Sequence, residues 1–458
     1  MTDARDLAAA TLDRTAAALP GAEVGVAVDR NQLALTRFAN SVIHQNVAED
    51  VTHVSIRIHH DGRTAETAAT ITGDDELAAL VARAVESVRL APADPGWAGL
   101  APPADVARHP TIDGNGASPQ DRAQVVRGFV DGAGGLEAAG YCRTNVWNGA
   151  FANSAGQVVS GQGFECGLSG IARSEGADGL ARHAPLRLAE LDGHALGARA
   201  AAKARACADP IELPPGRYEV VLEPTAVADI LQSLAIAGFN GKAVNEQRSF
   251  VRLGEAQFDP TIRLVDDPLA VGQSYDDQGT PRRSLTLVDS GTTVALTHDR
   301  RSAAEAGATS TGHAGLGAAV WGPYARHLTL VGATGGGASH EVAGAPADSS
   351  VAAVVADVDR GLLVSDLWYT RMLDPRTLAI TGLTRNGLWL IEDGQVTTPL
   401  RNFRFTQSYA QALMPGNVIA VGSAVTALPG DTYTATAPRW SCPALRLASW
   451  NFTGGASG

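Results

Sequence analysis

The side chains able to do chemistry are few and scattered. His59 and His60 are adjacent, and neighbouring strand residues point to opposite faces, so the two rings do not readily share one ion. His340-Glu341 forms half of a helical zinc-hydrolase motif, with no second histidine at a helical spacing. Gly335-Gly336-Gly337 lacks the lysine and hydroxyl residue of a phosphate-cradling loop and reads as a flexible loop. Asp266-Asp267 and Asp276-Asp277 offer oxygens of the kind calcium or magnesium takes, but Pro268 and Gly279 close by favour turn-forming carboxylates. The densest polar cluster is His298-Asp299-Arg300-Arg301, directly after an apolar strand, where it either presents a binding residue or ends the strand in a salt bridge. A Ser/His/Asp triad cannot be read from spacing, because such triads assemble from distant segments. Cys142, Cys166, Cys207 and Cys442 show no short paired spacing, so they read as reduced, structural thiols.

At 458 residues the chain exceeds the roughly 250–300 residues at which single cores stop growing. Two domains are expected, residues 1–208 and 209–458. With 45% hydrophobic and 18% charged residues, the balance is that of a folded protein and not of a disordered one. The formal net charge is −12, and Lys203 and Lys242 are the only lysines. No basic stripe is present to displace counterions from phosphates, which argues against a nucleic-acid ligand. The N-terminus does not read as a signal peptide, and no apolar run approaches the ~20 residues of a bilayer-spanning helix. A cytoplasmic protein with no membrane contact is expected.

Periodicity places helices at 6–19, 74–90 and 225–239, the last with Thr225 as its cap. It places a further helix over 118–140, broken at Gly132–Gly135, and others over 186–208 and 349–361. Strands are expected at 23–28 and 32–38, around Asp29-Arg30-Asn31, then at 51–60 and 64–71 about an Asp61-Gly62 hairpin turn. Short strands follow between Tyr141 and Arg173, with Asn153-Ser154-Ala155-Gly156 as a turn, and then 217–223, where Tyr218, Val220 and Leu222 share one face. The rest is mostly short β segments. The fold class is α+β: an N-terminal α/β-type domain with a mixed sheet and helices, and a C-terminal β-rich, barrel-like domain.

Several segments, in order, resemble one family. They are Leu35-Thr36-Arg37-Phe38-Ala39-Asn40-Ser41, Asn153-Ser154-Ala155-Gly156, Ser249-Phe250-Val251-Arg252-Leu253-Gly254, Asp266-Asp267-Pro268, Tyr275-Asp276-Asp277-Gln278-Gly279-Thr280-Pro281, Thr309-Ser310-Thr311-Gly312-His313, and the run from Thr381 to Gly394 that contains Thr384-Arg385-Asn386-Gly387. Together they resemble the TldD/PmbA family, also called modulators of DNA gyrase, whose members form two-subunit zinc peptidases. Each fragment is short, and their joint order across nearly the whole chain carries the resemblance.

In the TldD-type subunit a helix early in the second domain carries HExxxH. Two histidines bind zinc, and the glutamate takes a proton as zinc-bound water attacks. In a regular helix that five-residue spacing leaves the two rings about 140° apart, so a widened turn would help both reach one ion. The comparable segment here places Gln232 and Ala237 at the histidine positions and Ser233 at the glutamate. This departure resembles the TldE branch. The resemblance therefore implies a non-catalytic subunit without a metal of its own, with zinc in a TldD-like partner and a shared chamber that admits an unfolded or extended peptide. His298, Arg300, His313 and Arg385 are the candidate peptide or subunit contacts. Two other readings stand beside it: a homodimeric peptide-binding protein without hydrolytic activity, and an independent metallopeptidase with an atypical site built from His298, His313, Cys442 and a carboxylate.

Overall fold

Two tight turns start the first sheet. Asn40 and Ser41 (φ 49° and 61°) and Asp61 and Gly62 (φ 49° and 71°) are left-handed, the backbone that two-residue hairpins require. They join β1 (Glu23–Ala39), β2 (Val42–His60) and β3 (Arg63–Thr70). With β4 (Glu137–Asn153), β5 (Val158–Ser174) and β6 (Ala177–His183), these make a six-stranded sheet in the order β3-β2-β1-β4-β5-β6. The computed structural model describes residues 3–107, 118–174, 176–315, 317–333, 349–430 and 438–455. The His340-Glu341 pair and the Gly335–Gly337 run lie outside them.

Two strands were expected around Asp29, and one continuous strand is found. β1 pairs with β2 and β4 on its two sides across that segment, and ladder bonding outweighs the polar composition. A mixed sheet was expected in this half, yet all five pairings are antiparallel. Hairpins join β1 to β2, β2 to β3, β4 to β5 and β5 to β6, leaving no parallel crossover. Val24, Val26 and Val28 pack with Val54, Ile56 and Ile58 into a core with α1 (Ala4–Ala18) and α2 (Asp74–Leu90).

The helix expected over 118–140 ends at Gly132, as α3 (Pro119–Gly132), and the chain becomes strand at Glu137. The one expected over 186–208 is a short 3₁₀ turn, Leu188–Glu190, followed by α4 (Gly193–Ala206), whose Asp192 cap accepts from Ala195 N. α3 and α4 touch backbone to backbone. A Cβ on Gly193 or Gly197 would fall 2.0 Å from the carbonyl oxygens of Val125 and Phe129 respectively.

In the C-terminal half, β7 (Gly216–Leu222) leads into α5 (Pro224–Ser233). The expected Thr225 cap is corrected: Pro224 takes the first helical position, as proline favours, and Glu223 precedes it. β8 (Arg360–Asp374), β9 (Ala379–Glu392), β10 (Phe403–Ser408) and β11 (Leu445–Gly455) complete the main sheet. The ring closes, β8-β7-β11-β10-β9 and back to β8. Val220, Leu222, Leu362, Val364, Leu390, Phe405 and Trp450 are buried in its core. The helix expected over 349–361 stops at Val355, because Gly361 already belongs to β8. A second, smaller sheet contains 264–266, 285–289, 328–330 and 439–442. The protein is α+β with a β-rich C-terminal part. Among the described residues no helix is long and apolar enough to cross a membrane.

Candidate functional site

α5 does not end as an ordinary helix. Residues Leu234–Gly238 form a π turn, and Phe239 N donates to Leu234 O at 3.1 Å, an i to i+5 bond. Such a turn widens the helix and is frequent at functional sites. Thr225, Ala228, Asp229 and Gln232, spaced three and four apart, line one wall of a cavity of about 350 Å³. Asp366–Arg371 of β8, with Arg182, Pro429 and Trp440, form the rest. Asp229 is fixed there, accepting from Tyr409 Oη at 2.6 Å and Thr370 Oγ1 at 2.8 Å. Burial, with the adjacent Asp229 charge, pushes the Tyr409 phenol well above its usual range, so it stays a donor. β8 meets β7 only over Leu362–Val364. Beyond that pairing Trp368, Tyr369, Met372 and Leu373 are exposed, Tyr369 by 63% and Leu373 by 59%.

A second cavity, about 310 Å³, lies between the two halves of the chain. Gly25, Ala27, Arg57 and Phe151 line it from the first sheet, and Asp277, Gln278 and Asp299–Arg301 from the second half. Its arginines are occupied. Arg57 pairs with Glu66, Arg301 holds Asp94 at 2.8 and 2.7 Å, and Arg300 donates to the carbonyls of Gly99 (2.9 Å) and Ala98 (3.1 Å). Asp299 caps the short helix Arg300–Glu305 through Ser302. The Asp277 carboxylate has no such partner among the described residues. Crowding by protein, and then the Asp277 charge, push the Asp29 carboxyl up to about 7, against the pull of Arg326 and Arg282. Asp277 rises to about 6, chiefly through crowding, with Arg282 opposing. Both carboxylates still reach solvent, which screens the effect.

The sequence matches the family described as PmbA/TldA metallopeptidase C-terminal domain over residues 215–454, a little more than half of the chain. The chain belongs to the PmbA/TldD family. Its fold is similar to that of TldE from Thermococcus kodakarensis (TM-score 0.82, 19% identity, 97% of this chain and 99% of that one). It is also similar to a candidate modulator of a DNA gyrase from Thermotoga maritima (0.79, 16%, 97% and 100%) and to another from Bacteroides thetaiotaomicron (0.78, 17%, 98% and 98%). No curated protein matches it significantly.

For a PmbA/TldD chain, the positions that the resemblance marks are placed as follows. Gln232 and Ser233 are half-buried, Gln232 lining the α5 cavity, and Ala237 is buried. None fits zinc: a carboxamide is a poor ligand, a methyl group is none, and a hydroxyl is no general base. His298 is 5% exposed and its Nδ1 pairs with Ser302 Oγ at 3.2 Å; burial lowers its pKa. His313, 4% exposed, spends Nε2 on Asp266 at 3.0 Å and Nδ1 on Thr311 at 2.8 Å. Burial would raise the Asp266 pKa, but hydrogen bonding and charge from His313, with His327, hold it down at about 2.

Cys442 lies elsewhere, its thiol donating to Pro224 O at 3.2 Å, and among the described residues no three His, Cys, Asp or Glu side chains converge as metal ligands. Arg300 sits at the cavity between the halves and Arg385 at a third pocket, so the four candidate contacts do not share one place. Asp276 does act as a turn former, its Oδ1 accepting from Gln278 N and Thr280 N at 3.0 and 2.9 Å. His59 stacks on Trp97 and His60 faces Asp61, apart from one another. Sequence reasoning missed Asp229, Asp29 and Trp368. Only the helical spacing of Asp229 and Gln232 could have signalled the first.

Proposed function

We propose that this chain is the non-catalytic, TldE-like subunit of a cytoplasmic TldD/TldE-type zinc peptidase, pairing with a TldD-like subunit around a chamber that admits unfolded or extended peptides. The observation that carries this is α5. The helix has the widened turn that suits a five-residue ligand spacing and a cavity on its flank, yet Gln232, Ser233 and Ala237 offer neither ligand nor base. The zinc and the water it activates belong to the partner. The exposed Trp368, Tyr369, Met372 and Leu373 beside that cavity give an apolar surface of the kind subunits and extended chains cover.

Co-expression with a TldD-like chain tests the reading. The expected result is a co-purifying pair that cleaves an unfolded protein and holds its zinc on the partner. Stoichiometric zinc retained by this chain alone, or failure of the two chains to associate, refutes it. The second outcome would favour a homodimeric peptide binder.

A further inference from the structure

We propose that the pocket around Arg385 and Trp368 is a carboxylate-binding subsite, taking the free C-terminus or an acidic side chain of an extended peptide. The choice of a peptide as ligand rests on the function proposed above; the anion preference rests on the pocket itself.

The pocket has a volume of about 750 Å³, and Arg173, Asp178, Trp368, Thr384, Arg385 and Asn402 are among its walls. Asp178 neutralises Arg173 through two hydrogen bonds of 2.7 and 2.9 Å. Arg385 is different. Its guanidinium lies 4.5 Å from the Trp368 ring centroid, and its side chain makes no hydrogen bond or ion pair to any described residue. The contact with the ring uses none of the group's N–H donors, which remain available among the described residues as the fork that matches a carboxylate. Asp366 stands opposite Arg385 in the β8–β9 register, but its carboxylate accepts from Asn386 at 3.0 Å and belongs to the wall of the Gln232 cavity. Asn402 accepts from Thr384 through Oδ1 at 3.2 Å, which leaves its two N–H donors unused among the described residues. Arg401 at the rim is paired with the exposed Glu212 at 3.7 Å, so it adds no unpaired charge.

Among the described residues the pocket thus holds one guanidinium, that of Arg385, with no carboxylate partner, on a chain whose net charge is −12. A single unpaired cation is too few for a nucleic-acid backbone, and it suits a single organic anion. Trp368 lines both this pocket and the cavity beside Gln232. A carboxylate held by Arg385 would therefore lay the preceding peptide residues along Trp368 toward Asp229 and Gln232.

Calorimetry on the purified chain alone tests this with three probes: N-acetyl-tetra-alanine as the free acid, the same peptide as its amide, and an N-acetylated, amidated tetrapeptide with one glutamate. At least one acid-bearing probe is expected to bind roughly tenfold or more tighter than the neutral amide, and which one does so tells a chain terminus from a side chain. Arg385→Gln should abolish the preference without altering the melting temperature. Asn402→Asp, which adds a negative charge without truncation, should do the same. Equal binding of acid and amide, no binding of either acid at millimolar concentration, or a preference that survives in both variants would overturn the proposal. Because no partner or cleavage enters the measurement, such a failure leaves the subunit reading to be decided by co-expression.

Discussion

Replacing Lys203 with methionine probes how the two halves of the chain are tied together. Lys203 lies on α4, and Glu223 precedes α5. Both side chains are 4% exposed and form an ion pair. Ser365 on β8 completes the triad: Lys203 Nζ donates to its Oγ at 2.9 Å, and Ser365 Oγ donates to Glu223 Oε2 at 2.8 Å. Removing one partner of a buried pair costs about 3–5 kcal/mol, mostly because the other charge stays buried and uncompensated. Glu223 keeps its Ser365 bond in Lys203→Met, so the lower end, about 3 kcal/mol, is expected. Adding Glu223→Gln removes the stranded charge, and the double variant should recover about 2 kcal/mol of that loss.

Urea unfolding followed by tryptophan fluorescence reads this directly. Trp389 is 1% exposed and donates to Ala206 O at the end of α4, so it reports on this junction. The reasoning fails if each single variant loses under about 1 kcal/mol and the two losses add.

Gly241→Ala tests the packing behind α5. A Cβ there would lie 2.3 Å from His298 Nδ1 and 2.7 Å from Thr297 O; the ring is buried, so a loss of about 1–3 kcal/mol is expected, and an unchanged melting temperature would contradict it. Asp29→Asn tests the raised carboxyl between the halves. A folded pKa of about 7, against an ordinary 3.8, means that the folded state binds the proton more tightly than the unfolded chain. The native carboxylate then costs stability that grows as pH rises from about 4 to about 7. The variant should gain more melting temperature over wild type at pH 8 than at pH 5, and a gain independent of pH would rule the effect out.

Local signals were legible wherever an element carries its own pattern. The apolar stripe of α2 fixes Asp74–Leu90 to the residue, and Asp61-Gly62 fixes its hairpin, because both depend on near neighbours only. The long strands were not, because pairing supplies what composition lacks. β1 runs through Asp29-Arg30-Asn31 because His53, Thr52 and Val51 stand opposite it on one side and Gly149, Asn148 and Trp147, more than a hundred residues away, on the other. The cavities depend on the same distant juxtapositions: nothing near Arg385 in the sequence announces that Trp368 will lie under it. The resemblance pointed to α5, and a widened turn of the kind that would help a five-residue ligand spacing is present there.

That widened turn can be separated from metal chemistry. An i to i+5 bond is a main-chain property, held here by Leu234 and Phe239, both fully buried; it does not need an imidazole at 232 or 237. The helix shape and the neighbouring cavity therefore stand without ligand side chains at 232 and 237, as the proposed non-catalytic subunit requires. The same distinction sorts the polar side chains. His313 spends both ring nitrogens inside the fold, and His298 spends its Nδ1 there. Arg385 and the Asp277 carboxylate make no hydrogen bond or ion pair among the described residues and stand at the edges of cavities. A buried polar group without a partner costs free energy, so groups left open at a solvent-filled wall are the ones free to meet a ligand.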